Sequence, residues 1–161
     1  MKTTIYLETI IRAPVETCFD LSRSIDLHVA STNGSNEKAV AGKLKGLISE
    51  GETVTWEATH FFVRQLLTTK ITSMQRPFRF YDVMQKGAFK SMEHEHLFHD
   101  HNGSTLMKDI FIYETPYGLF GRLFNKLVLR RYMTHLLLER NLVIKKAAES
   151  DEWKKFTPKS P

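Results

Sequence analysis

The chain has 161 residues and a single cysteine, Cys18, so it is the size of one domain and excludes an internal disulfide or a cysteine-built zinc or iron–sulfur cage. Its 42% hydrophobic content, with only 8 glycines and 5 prolines, excludes disordered, collagenous and low-complexity chains. The net charge of +5 and pI of about 9.3 are modest, and part of the surplus is Lys154, Lys155 and Lys159 near the end, so no nucleic-acid partner is expected. No apolar stretch has signal-peptide or membrane-spanning length, and the expectation is a cytoplasmic protein without a transmembrane segment.

Ile5, Leu7, Thr9 and Ile11 alternate with Tyr6, Glu8, Ile10 and Arg12, which predicts a first strand. Pro14 suits the first turn of a helix, and Val15, Cys18, Phe19 and Ser22 give that helix one face. Cys18 on that face reads as a small core residue. Ser24 or Asp26 can cap a second short helix, closed by the turn residues Thr32–Asn36. From there to residue 115 the period is two. Strands are predicted over 37–41, 52–62, 66–73, 79–86, 90–100 and 104–115, punctuated by Arg76-Pro77, Lys86-Gly87 and Asn102-Gly103. From Gly118 to about Glu149 the apolar spacing becomes helical. Leu119, Leu123, Leu127, Tyr132, Leu136, Leu138, Leu142 and Val143 form the apolar set, and Arg122, Lys126, Arg130, Arg131, Arg140, Lys145 and Lys146 the solvated one. Residues 1–149 are read as the domain and 150–161 as a flexible tail.

This order is α+β: an antiparallel sheet of about seven strands whose apolar face only one long helix can cover. The sheet must curl around that helix, which leaves room for a cavity. Strand parity then names the inward side chains: Trp56, His60 and Phe62 on one strand, and Phe78, Phe80, Asp82 and Met84 on a second. A third contributes Met92, His94, His96 and Phe98, and a fourth Met107, Asp109, Phe111 and Tyr113. Five of these, His60, Asp82, His94, His96 and Asp109, are polar, and buried polar groups need partners. Three readings stay open. They can satisfy one another, they can face a ligand, or His94 and His96 with His60 or an aspartate can chelate a metal.

The segments Ala13–Leu21, Ser22–His28, Gly51–Phe61, Lys86–Phe89, His94–His96 and Pro116–Leu123 resemble, in that order, the START-like or SRPBCC superfamily with its helix-grip fold. The likeness spans about residues 3–145 and is nearest a bacterial branch labelled polyketide cyclase/dehydrase-like. It implies a hydrophobic cavity between sheet and C-terminal helix, and it transfers no catalytic signature to any position. The expected function is therefore binding of a hydrophobic small molecule or lipid by Trp56, His60, Phe62, Phe80, Asp82, Met84, His94, His96, Phe98, Met107, Asp109 and Phe111, without a cofactor. Two alternatives accompany it. One is a cyclase- or dehydratase-like enzyme with His60, His94 or His96 as base and Asp82 or Asp109 as its orienting group. The other is an interaction protein that meets an anionic membrane surface or a protein partner through the basic helix, with Arg130 and Arg131 in contact.

Overall fold

A computed structural model describes residues 2–32 and 36–157. It holds β1 (Lys2–Ile11), α1 (Val15–Ser22), α2 (Ile25–Ser31), β2 (Lys38–Gly42), β3 (Thr53–His60), β4 (Val63–Gln75), β5 (Arg79–Lys86), β6 (Ser91–His101) and β7 (Ser104–Glu114). A helical run follows: α3 (Gly118–Phe124), a π-helical turn (Asn125–Leu129) and α4 (Arg130–Ala148), with a final short α5 (Trp153–Phe156). The central part of the predicted turn at 32–36, and Lys159 in the tail, lie outside the described residues.

The seven strands form one antiparallel sheet in the order β1-β7-β6-β5-β4-β3-β2. From β2 to β7 each strand pairs with the next in the chain, and β7 closes back onto β1. Register shifts on β2 and on β4, at Thr68/Thr69 and Ile71/Ser73, mark the bulges that bend such a sheet. Asn102 and Gly103 take φ of 53° and 82°, as a two-residue hairpin turn requires. Ser24 caps α2 by accepting from Leu27 N at 3.3 Å. Helices α1 and α2 bury Cys18, Phe19, Leu21, Ile25 and Leu27 against Ile11, Phe80, Phe98 and Met107, the largest apolar cluster. Burial pushes the Cys18 thiol up to about 11, which suits a core residue.

Four expectations are corrected. Phe62 is not on the inner face of β3: Phe61 and Phe62, at φ 52° and 63°, form the β3–β4 hairpin turn, and Phe62 is fully exposed. Phe78 is also exposed, because it belongs to the turn before β5, where its N–H donates to Gln75 O at 2.7 Å. The tail up to residue 157 is docked: Trp153 and Phe156 pack on the main cluster, and Ser24 Oγ donates to Phe156 O at 3.2 Å.

The fourth correction concerns the long helix, which turns a different face inward. Gly121, Asn125, Leu129, Leu137, Arg140, Asn141, Ile144, Ala147 and Ala148 are buried, while Leu119, Leu123, Leu127, Leu138 and Leu142 are exposed. Two physical causes combine. The π-helical turn carries an extra residue, so a single 3.6-residue phase cannot describe both halves. The sheet also presents a buried carboxylate, Asp109, whose need for donors outweighs the few kcal/mol gained by burying one more leucine. Gly121 is required where it stands, since a Cβ there would meet the Pro116 carbonyl at 1.8 Å.

Candidate functional site

Between the curled sheet and the helices lies a cavity of about 380 Å³. Its wall is mainly apolar: Ile48, Val54, Trp56, Ala58, Leu67, Ile71, Phe80, Met92, Phe111, Leu129 and Leu137. Phe61, Leu66, Tyr117 and Phe124 line it and are also solvent-exposed, which marks the mouth. Phe61 packs edge-on to Phe124 at 5.5 Å between ring centroids, so the β3–β4 hairpin touches the helix beside that mouth.

Antiparallel register sets the inner polar groups in rows. Asp82 is opposite His94, and His94 is opposite Phe111; one pair further on, Phe80 faces His96 and His96 faces Asp109. His94 Nε2 and Asp109 Oδ1 are 2.9 Å apart and hydrogen-bonded. His96 Nδ1 comes equally close to the same oxygen, at 2.9 Å, but out of line for a hydrogen bond, and its ring stacks on Phe80 at 4.1 Å. The helix supplies the rest. Asn141 Nδ2 donates to Asp109 Oδ2 at 2.6 Å, and the Arg140 guanidinium stands 3.7 Å from Oδ1 while donating to Ser22 O at 2.9 Å. Burial pushes the Asp109 carboxyl up, but the two imidazoles win and hold it well below the usual carboxylate range. Burial, with His94 close beside it, presses His96 well below its ordinary value, so His96 is neutral.

His60 is not part of this group. Its Nδ1 is 2.8 Å from the Tyr132 hydroxyl, and burial lowers its pKa. The three-histidine cluster expected from strand parity is therefore two histidines and an aspartate on one side, and a His60–Tyr132 pair on another part of the wall. A third pair, His28 with Glu37 at 3.1 Å, also lines the cavity, with His28 stacked on Trp56 at 4.1 Å. Of the remaining sequence candidates, Trp56, Phe80, Asp82 and Phe111 line the cavity. Phe98, Met107 and Asp109 lie behind its wall in packed surroundings, and Met84 packs in the second apolar cluster beside it.

Sequence reasoning missed Arg140, Asn141, Thr69 and Tyr132. The signal for Thr69 was present, since it shares strand parity with Leu67 and Ile71. For Arg140 and Asn141 the signal was indirect: they fall at helical spacing from Leu137 and Ile144, and an inward aspartate calls for donors.

What this arrangement can do chemically is limited by its own contacts. His94, His96 and Asp109 place three ligand atoms within 4.8 Å of one another, as a metal site would. Yet Arg140 is beside the same carboxylate oxygen, and that positive charge opposes a dication. Of the two third ligands expected, His60 or an aspartate, His60 is outside this triad and Asp109 is in it. As an acid–base pair, His94–Asp109 has the geometry of a base with its orienting carboxylate, but Asp109 is already shared with His96, Asn141 and Arg140. The Asp109 carboxylate is thus compensated before any ligand arrives, while His96 Nδ1, at its edge, is left without an in-line hydrogen bond.

No protein-family description and no curated protein matches the chain. Solved structures do. A Thermus thermophilus protein, TTHA0849, is 18% identical with a TM-score of 0.68, covering 91% of this chain and 99% of that one. Ginseng (Panax ginseng) major latex-like protein 151 is 14% identical with a TM-score of 0.65, covering 91% and 97%. A START superfamily protein from Mycobacterium smegmatis is 13% identical with a TM-score of 0.65, covering 89% and 97%. The fold is the START-like helix-grip fold. Among the described residues, no helix is long and apolar enough to cross a membrane.

Proposed function

We propose that the protein binds a hydrophobic small molecule or lipid in the cavity between the sheet and the C-terminal helical run. The observation that carries this is a cavity of about 380 Å³ with a largely apolar wall and a few convergent polar groups, the ordinary make-up of a small-molecule site. The solved neighbours that share the fold, among them a START superfamily protein, support a cavity-based role. The compensated Asp109 network favours binding over acid–base chemistry, since its carboxylate is fully engaged. Native mass spectrometry of the purified protein tests this reading. A co-purifying apolar mass is expected, and it should be lost in Ala58→Phe, which fills the cavity from its wall. Failure of the wild-type protein to retain or take up any apolar compound contradicts it.

A second reading concerns where the ligand is exchanged. Leu119, Phe120, Leu123 and Leu127 are exposed along α3 and the π-helical turn, with Phe62 and Tyr117 exposed nearby. Arg122, Lys126, Arg130 and Arg131 are interleaved with or follow them. Apolar side chains among basic ones are the pattern of a surface that touches an anionic bilayer. Flotation with phosphatidylserine-containing vesicles should carry the protein at low salt, less so for Arg130→Ala/Arg131→Ala and for Phe120→Ser. Equal flotation with purely zwitterionic vesicles, or none with either, contradicts it.

A further inference from the structure

Two side-chain oxygens on the cavity wall stand apart from the compensated network. Thr69 is 1% exposed and Asp82 Oδ1 is inaccessible to solvent, yet among the described residues neither Thr69 Oγ1 nor Asp82 Oδ1 has a hydrogen-bond partner. Both residues line the cavity. They lie on adjacent strands, where Thr69 pairs with Met84 and Ile71 with Asp82, and the Thr69 hydroxyl is near enough to act on the Asp82 carboxyl. Leaving a buried polar atom unpaired costs about 1–3 kcal/mol, so two together on a ligand-sized cavity call for a group that meets them.

The chemistry of that group follows from its surroundings. Burial raises the Asp82 carboxyl above its ordinary range, and a neutral donor can serve its free oxygen without bringing a second desolvated charge into the apolar wall. An anion finds no free cation here either, because Arg140 already faces Asp109 and donates to Ser22 O. Around the two oxygens the wall is Ile71 and Phe80, with Trp56 and Val54 on the next strand. A hydroxyl both donates and accepts, and so can serve a carboxyl oxygen and a threonine hydroxyl at once.

Resting on the cavity-binding reading above, we infer that the preferred ligand is an apolar molecule bearing one neutral hydroxyl, held between Thr69 Oγ1 and Asp82 Oδ1. The apolar body lies along Trp56, Ile71 and Phe80, and the hydroxyl fixes its orientation.

Isothermal titration with 2-naphthol, 2-methoxynaphthalene, naphthalene and 2-naphthoate tests this on the full chain. The wild-type protein should bind 2-naphthol about tenfold more tightly than the methyl ether, which cannot donate. In Thr69→Val and Asp82→Val the preference should shrink to about twofold or less, with naphthalene binding kept. Each variant also removes an unpaired buried atom, so without ligand its Tm should rise by about 2–4 °C. A lower Tm for Thr69→Val would show that its hydroxyl has a structural partner and overturn the assignment. Equal binding of 2-naphthol and its methyl ether, a preference unchanged in Thr69→Val, or tightest binding of 2-naphthoate overturns it too while leaving the cavity reading intact. Binding of none of the four, naphthalene included, overturns both.

Discussion

Two polar groups face the same interior and are built in opposite ways. Around Asp109, two imidazoles, an amide and a guanidinium converge on one carboxylate from β6 and α4, and both carboxylate oxygens are hydrogen-bonded. Around Asp82, two strands over, Oδ1 and the adjacent Thr69 hydroxyl meet no donor or acceptor among the described residues. Both sit in low-dielectric surroundings, where a satisfied network rigidifies and an unsatisfied one costs stability. The contrast separates what holds the helix on the sheet from what is left for a ligand. It also shows why counting inward histidines and aspartates is not enough: their partners decide their role.

The largest expected effect comes from breaking the satisfied side. Asp109→Asn leaves Arg140 buried without its counter-charge and should cost about 3–5 kcal/mol, read as a lower urea midpoint. A loss under 1 kcal/mol would mean that the network does not anchor the helix. Next comes the helix face. Leu137→Ala, on the buried side, should cost about 2–4 kcal/mol, whereas Leu127→Ser, on the exposed side, should stay within about 0.5 kcal/mol. The reverse order would place the helix in the phase that sequence periodicity suggests.

Acid titration distinguishes the groups more finely. His96 is held neutral in the fold while the unfolded chain protonates near its ordinary value, so stability should fall as pH drops below about 6.5. Asp109, depressed in the fold, adds a second loss as pH falls through about 3.8 and below. Asp82 works in the opposite sense. Its raised value means the unfolded chain ionises first, so it costs stability as pH rises above about 3.8. Equilibrium unfolding between pH 3 and 7 should therefore show Asp82→Asn gaining stability over the wild type as pH rises, by about 1 kcal/mol or more. An unchanged pH profile would mean that Asp82 is solvated in the fold.

Much of this was legible in the sequence because strands have a strict period. Parity alone put His94, His96 and Asp109 inward and Lys108 outward, and the Asn102-Gly103 turn fixed the register of β6 against β7. Trp56, Ala58 and Val54 were equally readable. Parity fails where a strand ends, as at Phe61–Phe62, because a hairpin turn with positive φ flips the next side chain to solvent. Helical phase failed for a deeper reason. The leucines of residues 119–142 form the more apolar stripe, yet the inward face is chosen by a carboxylate on the sheet and rephased by the π-helical turn. Neither cause is visible in the helix's own residues. The unpaired state of Thr69 and Asp82 was also beyond reach, since it depends on which cross-strand atoms fall within hydrogen-bond distance.

A crystal structure of the protein soaked with 2-naphthol tests the contrast between the two polar groups most directly. The account predicts the ring along Trp56 and Phe80, the hydroxyl within hydrogen-bond distance of Thr69 Oγ1 and Asp82 Oδ1, and the Asp109 contacts unchanged. A naphthol bound to the outer helix face with the cavity untouched, or one whose hydroxyl displaces Asn141 or His94 from Asp109, would contradict it.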